Sequence, residues 1–247
     1  MRFSAPLIPA RFLRRRQRFL AEVQLTAGER VWVHVPNSGA LTGCADPGQE
    51  ILLTADGRPG RKTAYTWRFS RGPAGWICID TLAANRLVAE ALAVGNLPGV
   101  GGGGQGSQTH LQSSRNPPLK IRQEVTLPWG SRLDFRVEVG GTLIYLEVKS
   151  VTWVEDGVAL FPDGVTSRGR RHLQHLAALV QEGHEAWQVF VVQREDGQLF
   201  RTAGAVDPAY AQELTRAAQK GVKILVVQEK VAPPEITLAS TLPFALT

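Results

Sequence analysis

The sequence predicts an α+β chain of two domains, a small basic β-barrel over residues 1–80 and an α/β domain over residues 81–247. Three observations predict it. Five short β-type runs fill the first third, strand and helix patterns alternate after residue 121, and charge is divided unevenly between the two parts. Residues 1–80 hold 12 Lys and Arg against 6 Asp and Glu, whereas residues 81–247 hold 16 of each, so the whole net charge of +6 sits in the first third. A hydrophobic fraction of 43% and a charged fraction of 20% place the chain among globular proteins with material for a buried core. There is no apolar run of about 18 residues to span a membrane. The N-terminus carries arginines but lacks the apolar stretch and cleavage site of a secretory signal. Cys44 and Cys78 have no metal-ligand spacing and suit a reducing compartment, so a cytoplasmic location is expected.

The barrel is read from alternation. Phe19, Ala21, Val23 and Leu25 alternate with Leu20, Glu22 and Gln24, and Val31-Trp32-Val33-His34-Val35 repeats the pattern after the turn at 26–29. Further strands are predicted at 50–54, 63–69 and 76–80, punctuated by Asp56-Gly57-Arg58-Pro59-Gly60 and Arg71-Gly72-Pro73-Ala74-Gly75. Short strands with excess positive charge suit an OB-like barrel, a fold that holds single strands with a cationic groove and stacking aromatics. Arg11, Arg14, Arg15, Arg16 and Arg18, with Arg61 and Lys62, form the candidate nucleic-acid surface, because a basic patch attracts phosphate backbones. Trp32, Tyr65 and Trp67 are candidates for stacking, against the commoner role of barrel aromatics in the core.

A helix is predicted at 81–94, with Thr81 as N-cap, Leu82, Val88, Ala91 and Leu92 apolar, and Gly95 as its stop. Residues 95–118 contain Gly101-Gly102-Gly103-Gly104 and Pro117-Pro118 and read as a linker or long loop. Gly99, Gly101 and Gly104 fit G-x-G-x-x-G, but no strand precedes them and no helix follows, which excludes a dinucleotide site. A strand at 121–127 carries Glu124, a hairpin occupies 131–149, and 150–165 reads as irregular. A helix at 167–182, a buried strand at 187–193, a helix from Asp207-Pro208 to Lys220 and a strand at 222–228 imply a parallel section with right-handed crossovers. The tail 232–247 is expected to dock on the surface.

The hairpin carries the chemistry. Gly140-Gly141 is the turn of a two-residue hairpin, so Val139 opposes Thr142 and Asp134 falls opposite Glu147, with Lys149 on the same face. Like charges at directly paired positions destabilise a sheet. The opposite face, Ile144, Leu146 and Val148, is apolar, which disfavours an ordinary solvent-facing hairpin and asks for a cation between the acids. Asp134, twelve residues, then Glu147-x-Lys149 matches the D-x(n)-[DE]-x-K pattern of PD-(D/E)xK nucleases. In that reading Asp134, Glu147 and the carbonyl of Val148 hold Mg²⁺ or Mn²⁺, and Lys149 positions or deprotonates the attacking water. Glu90 or Glu124 would supply a further acid. Arg168, Arg170 and Arg171 at a helix N-terminus suit phosphate. His172 and His175 stand at i, i+3 without a third ligand and read as a solvated or hydrogen-bonded pair.

Further distinctive stretches are Asn37-Ser38-Gly39, Arg61-Lys62 through Tyr65-Thr66-Trp67, Asn85-Arg86-Leu87-Val88 and Ser131-Arg132-x-Asp134-Phe135. Glu147-Val148-Lys149-x-Val151-Thr152, Phe161-Pro162-Asp163, Val165-Thr166, Arg168-Gly169 and Asp207-Pro208-x-Tyr210-Ala211 continue the series to the C-terminal part. With these stretches the chain resembles the sugar fermentation stimulation protein A family. The resemblance implies an N-terminal OB-like domain, a C-terminal restriction-endonuclease-like domain and DNA binding, and the family name implies a link to sugar metabolism. Asp80 and Ala84 depart from the family's Asn and Pro, and the Gly/Pro stretch 99–118 is longer than usual. The expected function is binding of single- or double-stranded DNA with a Mg²⁺-dependent phosphodiester-hydrolysing site. Two alternatives stay open, a non-enzymatic DNA-binding regulator on a nuclease scaffold and an RNA partner. Homo-oligomerisation is left open, and no membrane partner is expected.

Overall fold

The computed structural model describes residues 1–56, 62–100 and 119–246. In the N-terminal part, β1 (Leu7–Arg16), β2 (Leu20–Leu25), β3 (Arg30–His34), β4 (Glu50–Ala55), β5 (Tyr65–Arg71) and β6 (Trp76–Cys78) follow in order. They form one sheet in the order β3-β2-β1-β4-β5-β6, and a β3–β5 pairing closes it into a barrel. Alternation fills the interior with Ala10, Phe12, Ala21, Val23, Val33, Ile51 and Leu53. Trp67 is fully buried among them, 5.1 Å from the ring of Phe12, with its indole N–H donating to the Phe69 carbonyl. It is core rather than a stacking platform, and Tyr65 packs against the same core. β1 is a strand beyond the five expected: the arginine cluster is itself a barrel strand, and the turn at 17–19 separates it from β2.

The C-terminal part contains α1 (Thr81–Ala93), β7 (Lys120–Thr126), β8 (Arg132–Val139), β9 (Thr142–Val151), β10 (Trp153–Glu155) and β11 (Val158–Phe161). It continues with α2 (Ser167–Gln181), β12 (Glu185–Val192), β13 (Leu199–Thr202), α3 (Pro208–Gln219), β14 (Lys223–Ala232), β15 (Glu235–Thr241) and β16 (Phe244–Ala245). The main sheet runs β15-β14-β12-β9-β8-β7, with β9, β12 and β14 mutually parallel. On one face α1 sets Ala84, Val88 and Leu92 against Phe135, Leu146 and Val148. On the other, α2 and α3 set Leu173, Leu176 and Leu214 against Phe190 and Val226. Coverage on both sides is why Val189-Phe190-Val191-Val192 reads as an unbroken apolar run.

Three expectations are corrected. Residues 150–165 are largely regular: β9 continues to Val151, and β10 and β11 form a hairpin in a second sheet, β10-β11-β13-β16. The tail does not merely dock, because β15 pairs antiparallel with β14 and extends the main sheet. The cap of α1 is Asp80, not Thr81: the Asp80 carboxylate accepts from the Leu82 amide at 3.0 Å. Residues 101–118 lie outside the described residues.

Asp80 also joins the two parts. Fully buried, it ion-pairs with Arg68 of β5, and its carbonyl accepts from the Gln193 side-chain amide at 3.2 Å. Beside it, the Asn37 amide donates to the Ile79 carbonyl at 3.1 Å. Asp80→Ala removes a helix cap and strands a half-buried guanidinium, so it should lower the unfolding free energy by about 3 kcal/mol. Urea denaturation checks this, and a loss below about 0.5 kcal/mol would contradict the joint role.

Candidate active site

Gly140 and Gly141 both have positive φ (56° and 84°), the conformation that a type I′ turn requires. The ladder runs from Val139↔Thr142 to Phe135↔Leu146, and Asp134 and Glu147 are next in line. There the strands stop exchanging main-chain bonds. The Asp134 carboxylate takes over, accepting from the Val148 amide at 2.7 Å and from the Asn85 side-chain amide of α1 at 2.9 Å. A strand residue presents its N–H and C=O toward the same side, so the Val148 carbonyl is turned toward Asp134 as well.

Glu147 is only 3% exposed. One carboxylate oxygen, Oε1, accepts from Lys149 Nζ at 2.5 Å and from His172 Nδ1 of α2. The other, Oε2, is buried and has no hydrogen-bond partner. Gln188 of β12 supports the strand from behind, donating to the Glu147 carbonyl at 3.0 Å. Burial, followed by the Glu147 charge, raises Asp134 to about 6, although Val148, Lys149 and Asn85 pull the other way. Burial also pushes Glu147 up, but Lys149 and then His172 outweigh it and hold this carboxyl below its ordinary range. The pair thus consists of a firmly ionised Glu147 and an Asp134 that ionises only as neutrality is approached.

Both acids and Lys149 line a cleft of about 890 Å³. Arg18 and the barrel loop 37–40 form one wall, and the other is formed by residues 160–169 leading into α2. Asp163 ties the walls together by accepting from the Leu41 amide at 3.3 Å. The Cα of Gly39 lies so close that an added Cβ would stand 2.2 Å from an Asp163 oxygen.

The other predicted residues are dispersed. Glu90 is exposed and paired with the Met1 amino group at 3.1 Å. Glu124 is exposed and paired with Arg132 at 3.2 Å. Neither lines the cleft, so the further acid expected from them is not supplied by either. Arg18 and Arg168 do line it. Arg15 is a structural crosslink, with its guanidinium donating to the carbonyls of Gly39, Asn37 and Arg18. Arg11, Arg14 and Arg16 are exposed on the barrel, as are Lys62 near β5 and Arg171 on α2, while Arg170 is half-buried. Arg61 lies outside the described residues. His172 and His175 part company: His172 is buried on Glu147, whereas the ring of His175 meets Trp129 at 5.7 Å. Sequence reasoning missed Asn85 and the role of His172. The only signal was the Asn85-Arg86-Leu87-Val88 block, whose polar member stands on the face of α1 toward the hairpin. Among the described residues no group of three or more His, Cys, Asp or Glu side chains is placed to hold a metal ion. The candidate set is instead two carboxylates and a main-chain carbonyl.

Residues 82–235 match the family described as the sugar fermentation stimulation protein RE domain, and residues 13–79 match the SfsA N-terminal OB domain. The chain belongs to the sugar fermentation stimulation protein family. A sugar fermentation stimulation protein homolog of Geotalea daltonii is 42% identical over 246 residues, covering 100% of both chains. One from Acidithiobacillus ferrooxidans is 41% identical over 235 residues, covering 95% of each. The solved structure of Pyrococcus furiosus SfsA in complex with Ca²⁺ superimposes with a TM-score of 0.85 at 26% identity, covering 99% of this chain and 98% of that one. The fold class is accordingly the expected one, an OB barrel followed by a restriction-endonuclease-like domain. Among the described residues no helix is long and apolar enough to cross a membrane.

In the metal-free protein the Asp134 carboxyl should titrate near 6, followed by carbon-detected NMR. Because this folded pKa is raised, ionising Asp134 costs stability above about pH 6, and the cost disappears as the pH falls toward 4. Glu147→Gln should lower the midpoint without restoring the ordinary value, since burial is the larger cause. An unmoved midpoint would contradict the coupling.

Proposed function

We propose that the protein binds DNA and hydrolyses its phosphodiester bonds with a divalent cation held by Asp134, Glu147 and the Val148 carbonyl. One observation carries this reading: an ionised, buried carboxylate oxygen, Glu147 Oε2, has no protein partner and stands beside a second acid. Leaving a buried acceptor of this kind without a partner is costly, and a cation between the two acids would satisfy it. The donors are all hard oxygens, the set suited to Mg²⁺, Mn²⁺ or Ca²⁺. The Pyrococcus furiosus relative was solved in complex with Ca²⁺, a cation that such donors suit. When bound, Mg²⁺ or Mn²⁺ supplies an acidified water and neutralises charge developing on the phosphate.

The chain's own residues supply the rest. His172 holds Oε1 and so leaves Oε2 as the free acceptor. Lys149, 2.5 Å from Glu147, is a point charge placed to orient water and offset charge on a phosphate oxygen. Arg18 and Arg168, on opposite walls, suit the flanking phosphates. A second reading, DNA binding without cleavage, is favoured by the Lys149 and His172 bonds, which neutralise part of Glu147 without a metal.

Purified protein should cut DNA with Mg²⁺ or Mn²⁺ and not with EDTA. Asp134→Ala and Glu147→Gln should each lose about 10²-fold or more in rate while keeping DNA affinity. Lys149→Ala should lose cleavage yet still bind Mn²⁺ in calorimetry. DNA binding without metal-dependent cutting of any strand form would decide for the second reading.

A further inference from the structure

The barrel's outer surface carries an order that no motif disclosed. Strand β1 contains one extra residue, Leu13: Phe12 pairs with Val23, but Arg14 pairs with Glu22. Without that bulge, alternation would group Arg11 with Leu13 and Arg15. With it, Arg11, Arg14 and Arg16 all point outward, each exposed. In the neighbouring strands the same face receives Leu20, Glu22 and Gln24 of β2 and Arg30, Trp32 and His34 of β3, as their pairings require. One sheet face thus gathers four exposed arginines and two rings.

The rings are held in place. The Arg14 guanidinium lies 5.8 Å from the centre of the Trp32 ring and donates to Glu22 at 2.6 Å, which fixes it over the indole and occupies that acid. At the end of the face Phe19, 51% exposed, stacks on His34 at 6.4 Å with 21° between the rings. Phe19 belongs to the β1–β2 turn, and its neighbour in that turn, Arg18, lines the cleft with Asp134, Glu147 and Lys149. Glu50, at the start of β4 and opposite Arg11, is another acid of the face.

We propose that this face is a single-stranded DNA track, running from Trp32 over His34 and Phe19 to Arg18 and into the cleft. The inference rests on the cleft's reading as a DNA-hydrolysing site for where the track leads. Rings at the surface stack on bases, and bases offer their faces only when unpaired; a duplex would meet the arginines but leave the rings idle. That the strand is DNA follows from the reading of the cleft, and oligo-U is the arm of the test that checks it. The substrate class is therefore DNA with a single-stranded segment, such as a tail, flap or gap.

Fluorescence anisotropy of the full-length protein in EDTA tests this without any cleavage. Labelled oligo-dT of about 20 nucleotides should bind at least about tenfold more tightly than a duplex of equal length. Trp32→Ala and Phe19→Ala should each weaken oligo-dT binding about tenfold, whereas Trp32→Phe should stay near wild type. Arg16→Gln and Arg30→Gln should each lower the salt slope by about 0.7. Circular dichroism confirms that the variants fold. Equal or tighter duplex binding, tighter binding of oligo-U, or unchanged affinity in both alanine variants would overturn the track. Cutting in Mg²⁺ is scored separately, so a protein that prefers single strands but never cuts overturns only the reading of the site.

Discussion

A single buried carboxylate governs the arrangement of the C-terminal domain. Glu147 lies at the middle of a sheet covered on both faces, where a charge survives only if groups from several elements converge on it. They do: Lys149 from its own strand, His172 from α2, and Gln188 from β12 through the main chain. Each needs its element in register, so the hairpin turn, the parallel β9–β12 pairing and the docking of α2 are all tied to one side chain. The convergence still leaves one oxygen without a partner, and that remainder is what makes the domain chemically suggestive.

The barrel completes the site from outside. Arg15 spends its guanidinium on three carbonyls and thereby pins the β1–β2 turn to the loop 37–39. Asp163 reaches from the other domain to that same loop, where only a glycine at position 39 leaves room. Asp80 and Gln193 fasten the rear of the junction. The cleft is therefore a shared product of two domains, with acids from one and an arginine-bearing turn from the other.

Much of this was legible in the residues. Two glycines between β-rich arms call for a two-residue type I′ or II′ turn, and either aligns Asp134 with Glu147. The three helices announce themselves through apolar spacing and terminal glycines. What escaped has physical causes. β1 was hidden because arginines occupy its outer face and the Leu13 bulge breaks the period-two pattern. β10, β11, β13 and β16 are two to four residues long, too short for any periodicity to register. His172 and Asn85 reach the site only through tertiary packing, 25 and 49 residues from the acids they bind, so no local spacing marks them. Glu90 and Glu124 looked plausible because they lie on the helix and the strand that precede the hairpin, yet both are exposed and held in ordinary ion pairs.

If Asp134 and Glu147 form one cation site with a free acceptor oxygen, anomalous scattering from crystals soaked in Mn²⁺ will locate it. A peak is expected between the two carboxylates, within about 2.3 Å of Glu147 Oε2 and of an Asp134 oxygen, and it should vanish in Glu147→Gln. A site without a peak, with Glu147 still bonded only to Lys149 and His172 at saturating Mn²⁺, would contradict it.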